Sequence, residues 1–320
     1  MGQAIRVLQL GLGYIGLAVH EILKERPAFE IVGLVDTDPA KAGDLPGYRI
    51  SAGVGEALAE TSAQVAVVTT TSRMESITPQ VLDLVSRGLS VVSTCEELVY
   101  PWDSHPRQAA KIDAAARESG VAVLSTGVNP GFLMDFLPVV ISRVARRVDS
   151  VLVERYQDAA PRREAFQRKI GAGLTVEQFQ ARVAGGNFGH AGLTASIQLL
   201  AAGLGWRLVK TAESIEPVIA DRALNTEYLS IEQGQVAGVY QVGTGTMGDR
   251  EVIRLVFRAA VGEPQSYDRI RLQGDPPLES IFNGGKAGDV ATGAITVNAI
   301  PLVLRLPTGL RTMADLWPAF

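Results

Sequence analysis

The chain has 320 residues, 47% of them hydrophobic and 20% charged, the balance of a globular protein with room for two ordinary domains. Acidic side chains outnumber basic ones by 34 to 30, which excludes the broad positive surface of a nucleic-acid binder. A single cysteine, Cys95, excludes a disulfide framework, and no apolar run approaches the roughly 18–20 residues of a membrane helix. Nothing from Met1 to Arg6 resembles a secretory leader, so a cytoplasmic location is expected.

Over residues 1–135, short apolar runs alternate with amphipathic stretches. The runs at 5–10, 30–35, 65–70, 90–93 and 121–125 predict buried strands, and 15–24, 79–87 and 107–119 carry helical spacing, with Gly120 as a C-terminal cap. Strand, helix, strand in repetition predicts a Rossmann domain, a doubly wound parallel sheet covered on both faces. Residues 136–285 read as a second α+β domain with a mixed sheet and helices on one face. Its expected strands are 151–156, 215–220, 228–232, 235–244, 251–259 and 267–273, with helices at 133–145, 175–184 and 194–204 and a hairpin turn at Met247, Gly248 and Asp249. Residues 286–320 turn apolar and helical again, bent or ended at Pro301, and should return to the Rossmann domain.

Gly11, Leu12, Gly13, Tyr14, Ile15 and Gly16 form a G-x-G-x-x-G run between the first strand and the first helix. Gly11 permits a tight turn, Gly13 lets the backbone approach a pyrophosphate, and Gly16 lets the helix lie close to the strand. Asp36, about 20 residues further on at the end of the second strand, suits ribose hydroxyls. Together they predict a nicotinamide dinucleotide, with NAD favoured by Asp36 and NADP still admissible through Lys41, since Thr37, Asp38 and Pro39 offer no arginine for a 2′-phosphate. Thr69, Thr70, Thr71 and Ser72 end the next strand and are expected either to touch the cofactor or to cap the following helix.

Two further strand ends concentrate polar groups. Glu96 and Glu97 follow the strand at 90–93, and adjacent carboxylates raise each other's pKa, which suits acid/base work or pairing with an iminium cation. One of the two is expected to serve as a helix-start residue, and Glu97 is placed ahead of Glu96 as the group that faces substrate. Asn129, Pro130 and Gly131 make an irregular loop where Asn129 suits the nicotinamide carboxamide, or a cap of the next helix. In the second domain Arg155 and His190, the latter between glycines, are candidates for substrate contact. His20 and His105 show no metal-ligand spacing and Cys95 has no histidine beside it in sequence, so neither a metal nor a thiol nucleophile is expected.

The stretches at 93–98, 126–135 and 169–174 resemble the 2,4-diaminopentanoate dehydrogenases and the natural NAD(P)-dependent amine dehydrogenases, which are distant relatives of dihydrodipicolinate reductase. The resemblance extends through 215–220 and 297–301 and is carried most specifically by the middle stretch. It implies reversible oxidative deamination of a primary amine, 2,4-diaminopentanoate or an alkyl amine, to a carbonyl compound and ammonia, with a glutamate of the 95–97 segment as acid/base group. The alternatives are an imine reductase of the dihydrodipicolinate reductase type, whose histidine- and lysine-rich motif residues 189–192 do not reproduce, and a non-catalytic cofactor sensor. A small-molecule substrate, no nucleic-acid or membrane partner, and a homodimer joined through the second domain's sheet complete the expectation.

Overall fold

A computed structural model describes residues 3–38, 40–41, 45, 47–186, 188–190, 192–284 and 288–316; Pro39, Ala191 and the expected boundary at 285–286 lie outside the described residues. The chain forms two compact units, Met1–Leu133 with Ala287–Phe320, and Met134–Lys286. No helix among the described residues is long and apolar enough to cross a membrane.

In the first unit, β1 (Ile5–Leu10), α1 (Tyr14–Lys24), β2 (Phe29–Val35), β3 (Ile50–Ser51) and α2 (Val54–Ala57) run outward from the sheet centre. The chain then crosses back to β4 (Val65–Val68), α3 (Met74–Ser86), β5 (Ser90–Ser93), α4 (Pro106–Glu118) and β6 (Ala122–Ser125). After the second unit, α9 (Gly288–Val303) and β15 (Gly309–Arg311) complete it. The seven strands lie in the order β15-β6-β5-β4-β1-β2-β3, all parallel. Strand order reverses between β1 and β4, and right-handed crossovers on the two sides of this point place their helices on opposite faces. β4, β5 and β6 are buried along their whole length, as strands covered twice must be.

The expected helix at 79–87 begins five residues earlier, at Met74, and holds Pro79 inside it. Its start is held by the local Thr71 hydroxyl, as one reading of the 69–72 hydroxyls expected, and by a carboxylate from outside the segment described below. The helix expected to end near Ser119 does so, with Gly120 at φ +71 just beyond.

The second unit opens with α5 (Phe136–Ser142), shorter than expected at both ends; its start is set by Asp135, whose side chain accepts from the Phe136 amide. β7 (Arg147–Asp158), α6 (Glu164–Lys169), α7 (Val176–Ala184), α8 (Leu193–Gly203) and β8 (Lys210–Ile219) follow. Next come β9 (Leu224–Asn225), β10 (Ser230–Ile231), β11 (Val236–Met247), β12 (Arg250–Ala260), β13 (Tyr267–Asp275) and β14 (Leu278–Asn283). Six of these strands make one sheet, β14-β13-β7-β12-β11-β8, mixed because β7 pairs with β12 in parallel and every other pair is antiparallel. In this unit α6, inside a basic stretch, the two-residue β9 and the edge strand β14, whose polar alternation carries little apolar signal, were not expected from sequence, nor were the short β3, α2 and β15 of the first unit. One sheet face carries Val151, Val153, Leu255, Ile270 and Leu272 into a core with Val139, Ile197 and Leu200 of α5 and α8. A second core gathers Phe179, Val239, Phe257 and Ala259.

Candidate active site

Gly11 turns the chain at φ +87 directly under Thr69, whose hydroxyl donates to the Gly11 carbonyl at 2.8 Å. A Cβ on Gly16 would run into that same carbonyl, whereas one on Gly13 would meet nothing within 4 Å. Gly13 is exposed and caps α1 without any side-chain hydrogen bond. The helix therefore presents its first amides and the positive end of its dipole to open space, a cradle that fits the pyrophosphate of a dinucleotide. Tyr14, 56% exposed, and Ile15 flank it.

Beneath the turn lies a polar pair not singled out from the sequence. Gln9 is fully buried in β1; its amide donates to the Gly16 carbonyl at 2.7 Å, and its oxygen faces Nδ1 of the fully buried His20 at 3.2 Å. A glutamine in the apolar run Ile-Arg-Val-Leu-Gln-Leu is the one signal that marked it.

Asp36 is 8% exposed and ties the second strand end to the glycine turn. Its carboxylate accepts from the Leu12 amide at 2.6 Å, the Asp38 amide at 3.0 Å and the Lys41 ammonium at 2.9 Å. Burial pushes this carboxyl up, but Lys41 and the two amides outweigh it and hold it below the usual carboxylate range. Lys41 is thereby occupied by Asp36.

The parallel sheet brings further strand ends to the same edge as Gly11. Each strand exit is bonded to its neighbour: Thr69 N to Leu10 O at 2.9 Å, Thr94 N to Val68 O at 3.0 Å, Thr126 N to Ser93 O at 2.8 Å. Thr70 donates to the Gln80 side chain midway along α3, and Thr71 accepts from the Arg73 amide at its start.

Glu96 and Glu97 begin a single 3₁₀ turn, Glu96–Leu98, after β5. Glu97 is committed to the sheet's own scaffold: one oxygen accepts from the Met74 amide at 2.6 Å, the other from Arg73 at 2.9 Å, and His105 Nε2 stands 3.8 Å away. It is the helix-start carboxylate foreseen for one of the pair, although it caps α3 and not a helix of its own. Glu96 is half-buried at the same strand end. Cys95 is fully buried and its thiol is pushed up to about 12, by burial first, with both neighbouring glutamates adding repulsion. Ser125 fastens this turn by donating to the Cys95 carbonyl at 2.7 Å.

After β6 the chain makes a cis Asn129–Pro130 bond and a left-handed turn at Gly131, φ +121, where a Cβ would strike the Gly127 amide nitrogen. Thr292 of α9 bonds the Val128 amide at 3.2 Å from the other side. Asn129 is 8% exposed within this loop and does not cap α5, which is the task of Asp135. Asp135 is itself fully buried and also accepts from Ser196 of α8 at 2.7 Å.

In the second unit the candidates fall on one line. Ile215, Gln241, Phe257, Arg155 and Asp268 are successive cross-strand partners on β8, β11, β12, β7 and β13. Arg155 is 2% exposed, its Nε 3.6 Å from the buried Asp268 carboxylate, and Gln157 accepts from the same Nε at 2.8 Å with its amide oxygen turned inward. This guanidinium is thus held within the sheet layer. His190 lies beside the same line, its ring against Phe257 with centroids 4.8 Å apart. Gln241, Asp268 and Glu213 were not picked out from sequence, because a polar residue in a long strand looks the same locally whether it faces water or a buried stripe. Among the described residues no group of three or more His, Cys, Asp or Glu is arranged to hold a metal ion.

Residues 132–319 match the model of the 2,4-diaminopentanoate dehydrogenase C-terminal domain. A curated relative, the 2,4-diaminopentanoate dehydrogenase of Acetoanaerobium sticklandii, is 30% identical across 98% of this chain and 94% of its own. The chain belongs to the 2,4-diaminopentanoate dehydrogenase family. Like other 2,4-diaminopentanoate dehydrogenase family members it is an NAD(P)-dependent oxidoreductase of the amine dehydrogenase kind. Two solved structures share its fold. The amine dehydrogenase from Mycobacterium smegmatis is 23% identical with a TM-score of 0.83, covering 99% of this chain and 97% of the other. GenD2 from gentamicin A biosynthesis, solved with NAD, is 17% identical with a TM-score of 0.60, covering 99% and 91%.

Proposed function

We propose that Glu96 is the acid/base group with which this enzyme deaminates a primary amine to a carbonyl compound and ammonia, and aminates the carbonyl in reverse. The observation that carries the assignment is the engagement of both Glu97 oxygens by Met74, Arg73 and α3. Glu96 removes a proton from the substrate ammonium, which frees the nitrogen lone pair. When bound, NAD(P) accepts hydride from the amine-bearing carbon, and supplies it in the opposite direction. Glu96 passes the ammonium proton to solvent, pairs as a carboxylate with the resulting iminium, and takes a proton from the water that attacks its carbon, giving a carbinolamine. It returns that proton to nitrogen, and as ammonia departs the carbinol hydroxyl gives its proton up to Glu96, leaving the carbonyl compound; that proton then leaves as ammonium or to solvent, and the carboxylate is regenerated.

Gly11, Gly13, Tyr14, Ile15 and Gly16 would hold the pyrophosphate, Asp36 the ribose, and Thr69, Thr70, Thr71, Asn129, Pro130 and Gly131 the region around the nicotinamide. NAD is the preferred form in this reading, because Asp36 stands where a 2′-phosphate would go and the nearby Lys41 is bonded to it. NADP is admitted at lower affinity. His190 is the substrate contact proposed from the second unit, with Arg155 behind it as a buried support. The substrate is 2,4-diaminopentanoate or an alkyl amine, and the protein works in the cytoplasm as a homodimer. The dimer reading is supported by Ile281, 45% exposed, and by the stacked pair Tyr156 and Tyr267 on partly exposed positions of the second sheet.

The test is to mix the protein with NADH or NADPH, a panel of carbonyl compounds and ammonia, and to follow the reduced cofactor by absorbance. Ammonia-dependent consumption, lost in Glu96→Gln, supports the reading. Consumption without ammonia would turn it into an imine or carbonyl reductase, and cofactor binding without any turnover into a sensor.

A further inference from the structure

One buried glutamine grips the main chain of a histidine on a glycine-flanked loop. Gln241, fully buried in the middle of β11, accepts from the His190 amide at 2.7 Å and donates to the His190 carbonyl at 3.0 Å. Its second amide proton goes to Glu213 on β8 at 2.7 Å. Glu213 in turn accepts from Thr194 at 3.3 Å, and burial pushes its carboxyl up. Every polar atom of the Gln241 side chain is used, and its orientation is fixed, since carboxylate and carbonyl demand the nitrogen and the His190 amide demands the oxygen.

The neighbouring positions complete the seat. Phe257, the direct cross-strand partner of Gln241, carries the His190 ring. Gly189, at φ +97, is where the loop passes Gln241: a Cβ there would stand 2.8 Å from the glutamine oxygen and 2.9 Å from Ile215. Glycines at 189 and 192 are both left-handed, and between them His190, in neither helix nor strand, is tied to the sheet through Gln241 and Phe257.

We propose that Gln241 is a positioning residue that sets where His190 stands and, through it, the affinity of the enzyme for its carbonyl or amine substrate. This rests on the reading of His190 as a substrate contact. Gln241 touches no substrate itself; it substitutes for a strand neighbour, fixing one residue of irregular chain to a rigid sheet.

The experiment compares wild type, Gln241→Leu, Gly189→Ala and His190→Ala in the ammonia-dependent assay, with KM for carbonyl and for reduced cofactor, kcat and the thermal midpoint recorded for each. Gln241→Leu keeps the shape and removes the grip, and Gly189→Ala attacks the same contact from the loop. The expected result is a rise of about 10-fold in carbonyl KM for all three variants, with cofactor KM within about twofold of wild type. A carbonyl KM that moves in His190→Ala but in neither other variant overturns the role of Gln241 alone. A carbonyl KM unmoved in His190→Ala removes the substrate contact and the positioning role with it. A cofactor KM that rises in parallel in all three shows general loss of structure and overturns the proposal. Absence of ammonia-dependent turnover in wild type would instead overturn the proposed function.

Discussion

The Glu97 carboxylate closes the N-terminus of a helix that begins 23 residues before it, accepting from the Met74 amide at 2.6 Å while its other oxygen holds Arg73. Capping of this kind satisfies one of the orphan amides every helix start leaves, and a carboxylate there also meets the positive end of the dipole. It gives one of two adjacent glutamates a structural task, and the proposed acid/base role falls to the other.

Glu96→Gln should therefore lower kcat by about 10²–10⁴-fold with cofactor affinity intact. Glu97→Gln should cost stability, about 1 kcal/mol as for a lost cap, and retain most of kcat. Steady-state kinetics and denaturation curves on the two variants check this, and the reverse pattern would exchange their roles.

The glycines of the turn should separate by what a methyl group meets. Gly16→Ala should fail to fold the turn, because the Gly11 carbonyl occupies the space. Gly13→Ala meets no protein atom within 4 Å and should fold with a thermal midpoint near wild type, yet bind cofactor at least tenfold more weakly. Calorimetric titration of NADH into both variants reads the difference.

Asp36→Ser should move cofactor choice toward NADP by removing the negative charge and releasing Lys41, seen as a rise in the ratio of kcat/KM for NADPH over NADH. The same carboxyl is depressed in the folded state, so its contribution to stability is present above an ordinary carboxylate pKa of about 3.9 and is lost as pH falls through the lower folded value. Urea unfolding from pH 5 to pH 3 should show a shallower decline in the variant.

His20 titrates in a different window. Burial, then Lys24, lowers its pKa from the ordinary 6.5, against a smaller pull from Glu21. With its folded value depressed, the neutral ring contributes stability above about 6.5 that is lost as pH falls below it, where the unfolded chain gains a proton and the folded one does not. His20→Asn keeps a donor toward Gln9 and should flatten the stability profile between pH 7 and 5.

Cys95 should resist alkylation. A fully buried thiol held at about 12 has almost no thiolate at pH 8, so iodoacetamide should neither label the native protein nor reduce its activity. Labelling in urea serves as the control.

Five strands of the first unit were legible because buried parallel strands are short apolar runs ended by Gly, Ser, Thr or Asp, and the spacing of Gly11, Gly13, Gly16 and Asp36 is local chemistry. What escaped depended on distant partners. The Met74 amide at the start of α3 is bonded by Glu97, Gln9 is explained by His20 and the Gly16 carbonyl, and Gln241 looks like any polar strand residue until its register with Phe257 and Ile215 is known. The glutamate pair and a helix-start task for one of its members were visible from sequence; that Glu97, the one placed ahead toward substrate, takes this task is decided by a contact 23 residues away.

The first unit is built from both ends of the chain, with α9 against α1 and β15 closing the sheet beside β6. On a ribosome this inverts the order of completion. Every residue of the second unit has been made before α9 appears, while the glycine turn's helix still lacks its neighbour and β6 presents an open edge. The cofactor domain, first to be started, is thus the last to be finished, and a nascent chain released before residue 288 would carry an unfinished dinucleotide sheet ahead of a second unit whose strands are all present.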